Sequence, residues 1–140
     1  MRIPALGGLF ISGALILGAC GGGSTAAASS ATVTATMTDK EVTLSVPSVT
    51  SGKVTFHVVN SGTVVHSLVL IKTDTPHDKL PADPKDPGKV QETGSVAATG
   101  QIAAGQSKDI TRDLAAGSYV VICNEPAHYL VGMHAAFAVK

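Results

Sequence analysis

Tryptophan is absent from the 140 residues, aromatics make up only 4% of them, and there are two cysteines. Set beside abundant Gly, Ala, Val and Thr, that scarcity favours short strands and turns over a long helical bundle. Charge of one sign is also missing. Ten basic residues balance ten acidic ones, so nothing in the composition argues for nucleic acid. The length allows one domain with one core and leaves no room for a second. There is no internal repeat and no convincing amphipathic helix.

The longest apolar run, Leu6 to Ala19, follows Arg2 and is too short to span a bilayer, so residues 1–19 are read as an export signal. Its end, Leu17-Gly18-Ala19-Cys20, resembles the lipobox of bacterial lipoproteins. That resemblance implies that Cys20 is lipidated and becomes the first residue of the mature chain. Removing Arg2 leaves nine basic residues against ten acidic ones, a net charge of about minus one. Gly21 to Ala31 contains only Gly, Ser, Ala and Thr. Residues 20–31 thus form a lipidated Cys and flexible linker, with a coil reach on the order of 17 to 20 Å.

The folded domain is expected over residues 32–140. Val33, Ala35 and Met37 alternate with threonines, and Val42, Leu44 and Val46 alternate with polar residues, giving two half-buried strands joined at Thr38-Asp39-Lys40. Lys53 to Asn60 puts Val54, Phe56 and Val58 on one face and His57 on the other. In a strand from Val64 to Ile71, His66 shares its face with Leu68 and Leu70 and points inward. By itself an inward His near a strand end is a satisfied core residue. Lys72 to Gly100, with four prolines, is a long polar excursion able to carry short turns or a strand, and His77 within it is expected in solvent. Gly105 to Leu114 reads as an exposed strand. Ser118 to Ile122 is nearly continuous apolar, as for a strand covered on both faces, and Tyr119, Val121 and Cys123 share one side. In the last segment Met133 points inward and His134 outward, which disfavours His134 as a ligand. Seven or eight short strands with Gly-rich turns imply an all-β, two-sheet antiparallel sandwich with Greek-key connections.

Between the last two strands, Cys123-Asn124-Glu125-Pro126-Ala127-His128-Tyr129-Leu130-Val131-Gly132-Met133 brings a thiol, an imidazole and a thioether within eleven residues. A trigonal Cys-His copper site with a weak axial Met uses those three donors plus a second imidazole, for which His66 is the candidate. A strand-loop-strand hairpin closes around a metal at little entropic cost. If lipidation uses Cys20, Cys123 is a lone thiol in an exported protein, and a metal explains how it escapes oxidation. The competing reading is a Cys20–Cys123 disulfide, which leaves the His and Met spacing unexplained.

From Thr32 to Lys140 the chain resembles the cupredoxins, the small blue-copper family. The residues that carry the likeness are His66 after Asn60-Ser61-Gly62, Leu114-Ala115-Ala116-Gly117-Ser118-Tyr119 leading into Cys123, and Pro126, His128, Gly132 and Met133 before the closing strand. The Cys-Asn-x-Pro-x-His spacing is most similar to the sulfocyanin and rusticyanin branch. The resemblance implies one type 1 copper held by His66, Cys123 and His128, with Met133 as a long axial ligand. It also implies an exposed apolar docking patch around His128, formed here by Ala127, Tyr129, Leu130 and Val131, unless these residues instead cap the end of the sandwich. Departures from the pattern are Ser67 where Asn is common, Ala116 for Pro in the tyrosine corner, and Ala127 for Gly before His128. Ser67 could tie the ligand loops through its hydroxyl, and Asn124 could fix the loop by hydrogen bonds or serve only as a turn former.

Zinc is a weaker fit, because Met is a poor zinc ligand and Glu125 lies too close to Cys123 to be a fourth donor. A Cys-His nucleophile lacks a recognisable orienting residue or oxyanion hole. A binuclear copper centre needs a second Cys in the loop, and multi-copper enzymes need further His-rich sites. The expected function is therefore non-enzymatic. It is a lipid-anchored, extracytoplasmic, monomeric carrier of single electrons between redox protein partners, and the alternative is a copper-binding and delivery module.

Overall fold

The computed structural model describes residues 29–140. The export signal, Cys20 and most of the linker lie outside the described residues. The strands are β1 (Ser30–Met37), β2 (Val42–Leu44), β3 (Ser48–Val49), β4 (Gly52–Asn60), β5 (His66–Lys72), β6 (Ser95–Ile102), β7 (Ser107–Leu114), β8 (Gly117–Cys123) and β9 (His134–Val139). A short 3-10 turn, Tyr129–Val131, separates β8 from β9. Two sheets form, one in the order β2-β1-β4-β7 and the other in the order β3-β9-β8-β5-β6. This is the expected Greek-key sandwich. Most neighbours run antiparallel, while β1 pairs with β4 and β3 with β9 in parallel.

Period-two alternation decides what goes inside. Val33, Ala35 and Met37 of β1 and Val54, Phe56 and Val58 of β4 face Leu68, Leu70, Val121 and Phe137 across the sandwich, all nearly free of solvent contact. Phe56 and Phe137 meet edge to face with centroids 5.3 Å apart, joining the two sheets. Burying a side chain of this size stabilises the fold by roughly 1.5–3 kcal/mol. Tyr119 donates its hydroxyl to the Ala115 carbonyl at 2.7 Å, closing the corner before β8 without the usual proline.

The five-stranded sheet is covered on both faces, as the continuous apolar run of β8 requires. Its outer face buries Val69, Ile71, Val120 and Ile122 beneath Val90, Leu80 and Tyr129. The cover comes from the excursion after β5, where an isolated bridge joins Ala82 to Val90. The last part of that excursion is β6, which pairs antiparallel with β5.

Three boundaries differ from the sequence reading. Strand β2 stops at Leu44, and Val46 is exposed, because the Ser45 hydroxyl takes the Thr34 N–H and ends the ladder. Strand β5 starts at His66 and leaves Val64 and Val65 exposed, because the buried Asn60 amide holds the Val64 carbonyl in the preceding turn. Strand β1 begins at Ser30, where its register with Lys53 of β4 starts.

Candidate metal centre

His66 is the first residue of β5 and Cys123 the last of β8. The antiparallel register that pairs Leu68 with Cys123 therefore brings both to the same end of the sandwich. Past Cys123 the loop is closed by its own backbone: the Cys123 N–H donates to the Met133 carbonyl at 2.9 Å, and the Met133 N–H to the His128 carbonyl at 3.2 Å. His128 is thereby folded back over the thiol. The Nδ1 atoms of His66 and His128 are 3.0 Å apart, and they lie 3.7 and 3.4 Å from Cys123 Sγ. One donor atom from each of the three lies within 4.8 Å of the others.

His66 and Cys123 are fully buried and His128 half-buried, so the cluster opens to solvent only on the His128 side. Met133 is also fully buried, within the core that contains Cys123. Burial pushes the Cys123 thiol above its ordinary pKa, although the amides of Ser67 and Glu125 donate to the sulfur. Burial, and then the neighbouring His66, hold His128 below its ordinary value, which favours the neutral imidazole with a lone pair to offer. Two imidazoles and a sulfur around one point form a donor set suited to copper in either oxidation state. The buried His/Cys/His cluster is thus a mononuclear copper-binding site of the type 1 kind.

A second layer of contacts orients these donors. The Ser67 N–H donates to Cys123 Sγ at 3.4 Å, so the tie between the two ligand segments comes chiefly from its backbone. Asn124 is more than a turn former. Its side chain accepts from the Val90 N–H and donates to the Val90 carbonyl, each at 3.0 Å, and also donates to Glu92 at 2.8 Å. It clamps the excursion onto the metal loop.

Asp39, in the turn between β1 and β2, also reaches the cluster. Its Oδ1 lies 3.1 Å from His66 Nε2, and both carboxylate oxygens accept hydrogen bonds from Thr63. Thr63's hydroxyl and amide, ahead of a smaller contribution from His66, hold the Asp39 carboxyl down at about 2. A carboxylate on Nε2–H leaves Nδ1 as the lone-pair nitrogen facing the cluster. Gly62 makes the contact possible, since a Cβ there would lie 2.6 Å from His66 Nε2. The only sign of this in the sequence was a lone acid in the tight Thr38-Asp39-Lys40 turn.

Other assignments need correction. Tyr129 does not belong to an exposed patch. Its ring is buried on the outer face of the sheet, its hydroxyl donating to the His77 carbonyl at 2.8 Å and accepting from the Leu80 N–H at 2.9 Å. Ala127, Leu130 and Val131 are exposed beside His128. His77 is not solvated but half-buried, with Nδ1 2.7 Å from His134 Nδ1. His134 faces away from the metal cluster, as its strand parity requires. His57 also faces outward and pairs with Asp109 at 2.6 Å.

A two-sheet sandwich with a buried His/Cys/His cluster at one end defines the cupredoxin, or blue-copper, class. Residues 23–140 match the sulfocyanin (SoxE) domain family. The chain belongs to that family. Among solved structures it is similar to auracyanin B at 24% identity, with a TM-score of 0.57 over 79% of this chain and 88% of that one. Reduced auracyanin from the photosynthetic bacterium Roseiflexus castenholzii matches at 26% identity and TM-score 0.54, over 81% of this chain and 99% of that one. Rusticyanin from Thiobacillus ferrooxidans matches at 22% identity and TM-score 0.54, over 79% and 77% of the two chains. No curated protein matches the chain.

Proposed function

We propose that this protein carries single electrons between extracytoplasmic redox proteins, on a copper ion that His66, Cys123 and His128 would hold with Met133 as a weaker fourth donor. Bound copper supplies the one-electron couple. The chain supplies a donor set compromised between Cu(I) and Cu(II), on a scaffold that need not rearrange when charge changes. The observation that carries this reading is the approach of His66 Nδ1 to 3.7 Å from Cys123 Sγ across 57 residues of sequence. Delivery of copper to an acceptor is disfavoured because His66 and Met133 have no solvent-exposed surface from which to hand the ion over.

Electrons enter and leave at the half-buried His128, where exposed Ala127, Leu130 and Val131 form an apolar rim for a redox protein partner. No catalysis by the protein alone is assigned, and turnover of a substrate by the pure copper-loaded protein would overturn that reading. We extend the reading to a lipid anchor at Cys20 that holds a monomeric domain at an extracytoplasmic membrane face. Cys20→Ser is expected to release a soluble, copper-competent domain, and unchanged membrane retention would contradict the anchor.

The electron-carrier reading is tested by adding copper to the protein and to Cys123→Ser. An intense visible thiolate-to-copper band and reversible one-electron voltammetry are expected from the first, and neither from the variant. A colourless complex in the unaltered protein would sink the assignment.

A further inference from the structure

On the outer face of the five-stranded sheet, a second pair of imidazoles repeats the arrangement of the first. His77 and His134 have ring centroids 4.9 Å apart, as do His66 and His128. Their Nδ1 atoms are 2.7 Å apart, against 3.0 Å in the copper cluster. Both rings are held in place by structure that has nothing to do with their own contact. His134 opens β9 opposite Ile122, and its ring packs on Tyr129 at 4.9 Å. His77 sits in a turn closed by the Lys79 N–H on the Pro76 carbonyl, and the Tyr129 hydroxyl donates to its own carbonyl.

We propose that His77 and His134 form a second, independent binding site for a divalent transition-metal ion of the kind that prefers imidazole, Cu(II) before Zn(II). With metal–nitrogen bonds of about 2.0–2.1 Å, nitrogens 2.7 Å apart subtend an angle of roughly 80–85°. That is close to the right angle between neighbouring ligands in square-planar or tetragonal Cu(II) and well short of the tetrahedral angle zinc favours. Two nitrogens leave further positions to water or an oxygen donor. Asp78 lies next to His77 and its charge acts on His134, while Asp74 and His77 both line a cavity of about 320 Å³ against β8 and β9. The competing account is one imidazole N–H donating to the other ring with no ion involved.

The two accounts separate on stoichiometry. Full-length protein with its type 1 site loaded is titrated with Cu(II), freed of excess ion, and assayed for copper content and by electron paramagnetic resonance. Two coppers per chain are expected, the second with a tetragonal, nitrogen-coupled signal and no added visible band. His77→Ala and His134→Ala are expected to bind one copper and stay blue, whereas His57→Ala binds two. A single copper in the unaltered protein, or a second copper retained by His77→Ala, overturns the proposal. Should His134→Ala fail to fold, His77→Ala in the covering turn decides alone. Cys123→Ser with and without His77→Ala keeps the test independent of the blue-copper reading, because the double variant is expected to bind one copper fewer per chain whatever the first site then does.

Discussion

Asp39 Oδ1 sits 3.1 Å from Nε2 of His66, and the other nitrogen of the same ring, Nδ1, is the one that faces Cys123 and His128. A residue from the β1–β2 turn thereby determines which nitrogen of a β5 residue is free to bind a metal. Replacing the carboxylate with an amide, Asp39→Asn, removes a charged partner that makes the imidazole a better donor. Copper affinity is expected to fall about 10–100-fold. The potential should rise, since a weaker nitrogen donor stabilises Cu(II) less. Competition with a copper chelator and voltammetry check the two halves.

The same carboxyl predicts a pH dependence. Its folded value of about 2 lies below the ordinary 3.8, so the native state favours the ionised form. That stabilisation is complete above about pH 4 and disappears as pH falls through the folded value. In metal-free protein the stability difference between the unaltered chain and Asp39→Asn should therefore narrow between about pH 4 and pH 2. Urea midpoints across that range give the measurement, and a gap that widened on acidification would reverse the assignment.

Met133 has two roles that substitution can separate. It is a fully buried core residue, and by proposal the axial ligand. Met133→Leu keeps volume and hydrophobicity, so the cost in stability should stay below about 1.5 kcal/mol. The potential should nevertheless rise as the thioether is lost, with the blue colour retained. Equal potentials in the two proteins would remove Met133 from the ligand set.

Asn124 satisfies both backbone groups of buried Val90. In Asn124→Ala those groups lose their partner, and each buried unsatisfied group costs about 1–3 kcal/mol. Chemical denaturation should show the loss. Amide exchange at Val90 should accelerate as the excursion lifts from the sheet.

Ala127 has φ 68°, the one positive φ outside glycine among the described residues. A left-handed conformation costs a residue with a Cβ about 1–2 kcal/mol, part of which Gly regains and part of which it loses in the unfolded chain. Ala127→Gly should therefore raise stability by a fraction of that amount, about 0.5–1 kcal/mol. A thermal midpoint below that of the unaltered protein would show that the strain lies elsewhere.

Most strands were legible because their alternation is local. Val33, Ala35 and Met37, or Val54, Phe56 and Val58, announce a buried face by themselves. The metal loop was legible for a similar reason, since Cys123, His128 and Met133 are spaced within one hairpin connection. Strand β6 was not, because Ser95 to Ile102 is built of small and polar residues. It is an edge strand with one neighbour, so its pattern is weak. The burial of His77 is hidden for a different reason: a polar, proline-rich excursion reads as solvated, and only the folded chain shows which sheet face it covers.

What the amino-acid order determined unaided is the class of sandwich, the inward direction of His66 and the three donors that hang from one hairpin. These follow from periodicity and short spacing, which act over a few residues. What the tertiary structure alone decided is that His66 arrives beside Cys123, that Asp39 holds its far nitrogen, and that His77 meets His134. Those contacts depend on strand register and on how a long connection lies over a sheet. Such pairings are chosen by burial summed over the whole domain, and no local stretch of sequence records them.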